Sequence, residues 1–285
     1  RSPLCLMWGK SLILLSSILI TAAIFKLCKT LRMVEETCWL VCILFITSNF
    51  FMASVILMSA YDIVALYFAI IGLDYYFKGN TKKFTICFMF AIPLKFFALL
   101  IFIPLVLLRE KRILKIAGYV FASILPILFF RFFIPCRAVF DDPASAALHL
   151  SNILKSTELS NLAFLYTVTY EWETSLSRIY LSLAFWGILY LICYFYKPES
   201  EDQIKKWGIY VCFLIFANLF ITCMAPPYWI MVLLPFIVTI IGINKKYLYV
   251  NLVLDTLMTW GMILAQMFKF PWCFGSSLTA GTFWP

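Results

Sequence analysis

The chain has 285 residues, 64% of them hydrophobic and 13% charged, with a mean hydropathy of +0.96. Soluble domains run roughly 45–50% apolar and 25% charged, and one core of this size cannot hide the excess from water. Lipid is therefore the expected solvent. The formal net charge of +9 is the surplus that membrane proteins keep in cytoplasmic loops, so no nucleic-acid partner is expected.

In lipid each backbone N–H and C=O must be satisfied within its own segment, and apolar runs near twenty residues select helices over a barrel. The expected fold is all-α: one multi-spanning membrane domain over 1–285, with about eight spans plus a re-entrant helical hairpin. The ten cysteines form no CxxC pair and fall mostly inside apolar runs, as small hydrophobes do.

The first span is expected at 11–28, ending at Lys26, Lys29 and Arg32. The second, 37–58, follows Glu35-Glu36, and the third, 61–77, starts at once and ends at Lys78, Lys82 and Lys83. The next apolar run, 84–109, is basic at both ends. A single crossing would put one cluster outside, so two half-helices breaking near Pro93-Leu94-Lys95 are expected to return the chain to its starting side. Span 113–134 leads to an external amphipathic or loop segment, 136–176, that carries His149. Spans follow at 177–196, 207–224, 228–243 and 248–268. This path places every basic loop on the cytoplasmic side.

Several polar residues sit where lipid would not welcome them. Asp62, at the external mouth of its span, either faces an acceptor or cation in an outward cavity or complements a helix N-terminal dipole. Lys95, at the tip of the half-helix pair, meets a lipid phosphate or an Asp of another helix, or snorkels to an interface. Arg131 and Arg137 hold phosphate or anchor at the interface. Asp141 and Asp142 bind a cation or sugar hydroxyls, or form a turn and cap. Tyr228 and Trp229 stack on a sugar face or belong to the aromatic belt. Asp74 and Asp255 are expected to pair internally or reach an interface. A divalent cation at Asp141-Asp142 is the candidate cofactor. No nucleotide loop, GxSxG or HExxH occurs, which leaves soluble-type nucleotide and hydrolase chemistry unsupported.

Across 60–245 the chain resembles polytopic C-type (GT-C) membrane glycosyltransferases that use polyprenyl-phosphate sugars. The resemblance rests on Tyr61-Asp62 opening a helix, the Lys78–Lys83 loop, the Lys95 element, the Arg109–Arg112 loop and the later run APPYWIMVLLPF. Ser59-Ala60 stands where Gly-Gln is common in that superfamily, and Ala98 where Pro is common. The resemblance implies transfer of a sugar to an acceptor on the outer face, for a cell-surface glycan or glycolipid. An acid in the first external loop would act as base, and basic residues would hold the donor phosphate. It also implies a multi-pass protein of a bacterial plasma membrane. The usual acidic base is not visible, since Arg1–Lys10 holds no Asp or Glu, and the chain is expected to be a fragment lacking the first span and first external loop. Asp62, Lys95, Arg131, Arg137, Tyr228 and Trp229 are then the candidate substrate-binding residues. The competing expectations are a transporter or flippase for a lipid-linked or anionic substrate, and a non-catalytic membrane assembly subunit.

Overall fold

The computed structural model of the protein describes residues 3–57, 62–133, 181–222 and 227–269, which are helical with no strand among them. They fall into two compact units, Arg1–Gly79 with Pro226–Pro285, and Asn80–Ala225.

The first unit is built on α1 (Pro3–Thr30), α2 (Glu35–Thr47), α3 (Asp62–Phe77), α9 (Leu234–Ile243) and α10 (Leu248–Lys269). Helix α1 ends in an Arg32 turn at φ 62. The Arg32 N–H donates to Lys29 O at 3.0 Å and the Met33 N–H to Cys28 O at 3.1 Å. These two bonds satisfy carbonyls that the helix end would orphan, with Arg32 in the left-handed position usually given to glycine. Gly79, at φ 76, takes the same position after α3. Helix α1 packs along both α2 and α3, and α9 packs on α2. A Cβ at Gly242 would fall 2.6 Å from Val41 Cγ2, so the missing side chain is what lets α9 approach α2 so closely.

The basic ends of α1 and α3 meet. Asp74, 1% exposed, accepts from Lys78 Nζ at 2.7 Å, lies 3.5 Å from Lys26 Nζ, and accepts from the Thr30 hydroxyl. Two helices whose C-terminal ends share one carboxylate run parallel, as the expected first and third spans do. Asp74 pairs internally, as its position inside an apolar run requires.

The second unit contains α4 (Thr81–Leu94), α5 (Phe97–Arg109), α6 (Ile113–Phe133), α7 (Leu181–Phe195) and α8 (Glu201–Thr222). Helix α4 packs on α5 and α6, while α5 packs on α7 and α8. Its core includes a ring cluster, with Phe84 and Phe102 stacked at 4.9 Å and Phe88 against Phe102 at 5.1 Å.

Side chains fill the backbone gaps of this unit. Pro104 has no N–H for Leu100 O, four residues earlier, and the Tyr190 hydroxyl of α7 donates to that carbonyl at 2.9 Å. Lys111 Nζ donates to Leu107 O at 2.6 Å and Cys193 O at 2.8 Å. One ammonium thus caps the C-terminal ends of α5 and α7, where the helix dipoles favour a cation. Burial lowers the pKa of Lys111, so the two carbonyls compensate only part of its lost hydration. Arg109 forks onto Glu201 at 3.2 and 2.8 Å. The basic loops after α5 and α7 therefore converge on one end of the unit, as a common cytoplasmic side requires.

By length and apolarity, Lys10–Thr30 qualifies as a crossing helix among the described residues, with a mean hydropathy of 2.2. Trp229–Ile243 and Lys245–Leu257 qualify together only if two arms bent by 97° count as one span. Phe97–Arg109, Ile113–Phe129 and Ala184–Phe195 are apolar but shorter. Their surfaces follow a consistent pattern. On α7, Ile188, Leu191, Ile192 and Phe195 face outward, while Trp186, Leu189 and Cys193 on the opposite face are buried. On α10, Val250, Val253, Leu254 and Leu257 face outward, and Asn251 and Asp255 sit on the less exposed side. Apolar-out stripes of this kind are costly in water and neutral in lipid.

Two expected spans are irregular. The run 37–58 breaks at Ser48, whose backbone is extended at φ −59, ψ 135. The Ser48 hydroxyl accepts from the Phe50 N–H at 3.2 Å, a local bond that competes with the helix ladder. One turn, Asn49–Phe51, then leads into a π-helical turn, Met52–Leu57. The run 228–243 opens as a 3-10 turn, Pro227–Val232, before α9 begins. Proline at the start of that turn has no N–H to contribute to a preceding helix.

Candidate functional site

The irregular stretches of the first unit pack on one another. The π turn Met52–Leu57 lies against the 3-10 turn Pro227–Val232, which also touches the Asn49–Phe51 turn and α3. Non-helical backbone persists at membrane depth only where protein covers it or a wet cavity meets it, and π turns concentrate at functional sites.

This seam gathers three of the residues singled out above. Asp62 lies in the first turn of α3 and is 1% exposed. Its carboxylate sits where the helix N-terminus carries partial positive charge, so the dipole favours the ionised form. Trp229, half-buried, lies within the 3-10 turn that packs on α3. The backbone of Tyr228 belongs to the same turn, and its side chain lies outside the described residues. Ser54, in the π turn, is 1% exposed. Carboxylate, hydroxyl and indole are thus grouped around backbone that departs from the α ladder. Such a group can orient a hydroxyl-bearing substrate or a cation.

Lys95 belongs to the second unit and occupies a true break. Its backbone is extended at φ −153, ψ 119, its N–H donates to Ala91 O at 3.0 Å, and its carbonyl accepts from the Ala98 N–H at 3.1 Å. Pro93, two residues earlier, removes one donor from the last turn of α4. The side chain is half-buried. The break at Lys95-Phe96 between helices of 14 and 13 residues falls where the charge pattern places it.

Arg131 lies in α6 with its side chain outside the described residues. Arg137, Asp141, Asp142 and His149 also lie outside them. Among the described residues no group of three or more His, Cys, Asp or Glu side chains is arranged to hold a metal ion.

The cytoplasmic-end charges have structural partners that spacing does not reveal. Lys29 Nζ lies 2.9 Å from Glu35 Oε2 and holds that carboxyl below its ordinary pKa. The Arg112 N–H donates to Glu110 Oε1 at 3.0 Å and the Lys111 N–H at 3.1 Å. These bonds, Arg112's first, keep the Glu110 carboxyl below its ordinary pKa and tie it to the entry of α6.

A groove in the first unit is the feature that sequence reasoning missed. It encloses about 790 Å³ between one face of α1 and the segment from Trp39 to Val55. Its signal in the sequence is the series Lys10, Leu14, Ser17, Thr21, Phe25, which holds one helical face over four turns but is hidden in an α1 that is apolar all round. No family model, curated protein or solved structure matches the chain.

Proposed function

We propose that the chain is a polytopic membrane glycosyltransferase that moves a sugar from a polyprenyl-phosphate donor to an acceptor on the outer face. The observation that carries this reading is the seam at Asp62, where π and 3-10 turns pack beside a buried carboxylate. The outward apolar stripes and the converging basic ends support a multi-pass arrangement with α4 and α5 as a re-entrant pair. A bacterial plasma membrane follows from the resemblance alone.

In the reaction, the acceptor oxygen bonds to the anomeric carbon as the bond from that carbon to the phosphate oxygen breaks. The electron pair leaves with the polyprenyl phosphate, and the acceptor proton passes to a base. Asp62 is assigned the acceptor or a cation beside it, since a carboxylate at low dielectric holds a hydroxyl or cation far more firmly than one in water. Lys95 is assigned the donor phosphate, whose charge grows as it leaves. Trp229 offers an apolar face to the sugar ring.

The test incubates full-length protein with labelled polyprenyl-phosphate sugar and follows transfer to acceptor. Asp62→Asn and Lys95→Ala are each expected to reduce transfer at least about tenfold, the lower end for losing a hydrogen bond to a charged group. Unchanged transfer in both variants would sink the site assignment. Substrate crossing the bilayer without any glycosidic bond being made would favour the flippase reading.

A further inference from the structure

We infer that the groove between α1 and α2 seats a single long hydrocarbon chain of a lipid phosphate, with the phosphate at Lys10. The inference rests on placing the chain in a bilayer and not on sugar transfer. Three observations carry it.

The first is the chemistry of the lining. Leu14, Ile18, Ile46 and Val55 present hydrocarbon, and the polar members turn their donors away. The Ser17 hydroxyl donates to Ile13 O at 2.8 Å, the Thr21 hydroxyl to Ser17 O at 2.7 Å, and the Cys42 thiol to Thr21 O at 3.6 Å. The hydrogen-bonding capacity that would recognise a polar ligand is engaged with the helix backbone. What remains facing the groove recognises CH₂ groups.

The second is polarity along its length. One end is floored by Phe25 and Trp39, whose ring centroids lie 4.8 Å apart. The other end carries Lys10, exposed on the first turns of α1. An apolar floor and a cationic mouth fit a ligand with one anionic head and one apolar tail, held in a fixed direction.

The third is reach. From Lys10 to Phe25 the α1 face rises about 22 Å at 1.5 Å per residue. One leaflet of a roughly 30 Å hydrocarbon core is about 15 Å deep. A diacyl lipid anchored at Lys10 ends before the floor and brings a second chain that a groove one helix-face wide does not receive. A polyprenyl chain is single and long enough to reach Phe25 and Trp39.

The experiment reconstitutes the full-length protein in phosphatidylcholine nanodiscs with a polyprenyl phosphate bearing a photoreactive diazirine at its far end. Cross-linked peptides are expected to contain Phe25 or Trp39. Lys10→Glu is expected to weaken labelling at least about fivefold, the value of one cationic contact at a membrane surface. Ala22→Trp, an exposed position on the groove face, is expected to abolish labelling without disturbing packing. Ser17→Ala is expected to leave labelling unchanged. Labelling confined to other helices overturns the inference, as does indifference to both Lys10→Glu and Ala22→Trp. Competition by phosphatidylglycerol as strong as by unlabelled polyprenyl phosphate also overturns it. Protein that reconstitutes but takes no label sinks the groove alone, whereas protein that alkaline carbonate strips from membranes removes the bilayer premise with it.

Discussion

The two units treat departures from the α-helix in different ways. In the second, the gaps traced above are filled by a named side chain: Tyr190 supplies Leu100 O with the donor that Pro104 lacks, and Lys111 caps two helix ends. Those polar groups are spent on architecture. In the first, the π and 3-10 turns pack together beside a carboxylate that is 1% exposed, while the clasp that joins α1 to α3 is made by a different carboxylate, Asp74. Helix α3 thus carries two buried acids, one engaged in holding helices and one placed at irregular backbone. Burial alone does not separate a structural acid from a functional one; the element around it does.

The contrast can be broken most directly on α3. Asp62→Asn is expected to lower transfer at least about tenfold while leaving thermal unfolding in detergent nearly unchanged. Asp74→Asn is expected to cost about 1–3 kcal/mol of stability, since two half-exposed lysines can recover hydration once the carboxylate is gone. Transfer per folded molecule should be preserved. Equal losses of stability in the two variants would erase the distinction. In the second unit, Tyr190→Phe is expected to cost about 1–3 kcal/mol by stranding a carbonyl away from water, read as a lower midpoint in chemical denaturation. A neutral result would mean that Leu100 O is served by another donor.

Smaller effects sharpen the comparison. Arg32→Gly is expected to stabilise by up to about 1 kcal/mol, because glycine takes the left-handed turn at the end of α1 without a Cβ penalty. The Glu110 bonds make the second unit weakly sensitive to acid. A carboxyl whose folded pKa is lowered contributes stability that is full above its unfolded pKa, near 4.3. That contribution disappears as pH falls through the lower folded value, and Glu110→Gln should flatten this part of a stability–pH curve.

Much of the helical layout was legible because charge and apolarity alternate along the chain. Lys78, Lys82 and Lys83 on one side and Arg109 on the other demanded a break in 84–109, and the chain breaks at Lys95-Phe96. The ends of α3, α4 and α6 fall close to the expected limits for the same reason. The break at Ser48 was not legible, because one hydroxyl accepting from a backbone N–H two residues on leaves no mark on hydropathy. Nor was the meeting of Met52–Leu57 with Pro227–Val232, which depends on contacts across a large sequence separation. Asp62 was singled out correctly as a buried acid, but its neighbours were not foreseeable. The groove escaped because an apolar helix has no hydrophobic side to mark the face that is hollow.

A π turn holds one residue more than the α turn it replaces, so Met52–Leu57 is a matter of counting as much as of chemistry. Deleting any one of its residues would let that stretch relax to ordinary α pitch and swing whatever follows by about 100°. Conservative substitutions there should be mild and single deletions severe, whichever residue is removed. The orientation of this wall of the seam is written in the length of the chain.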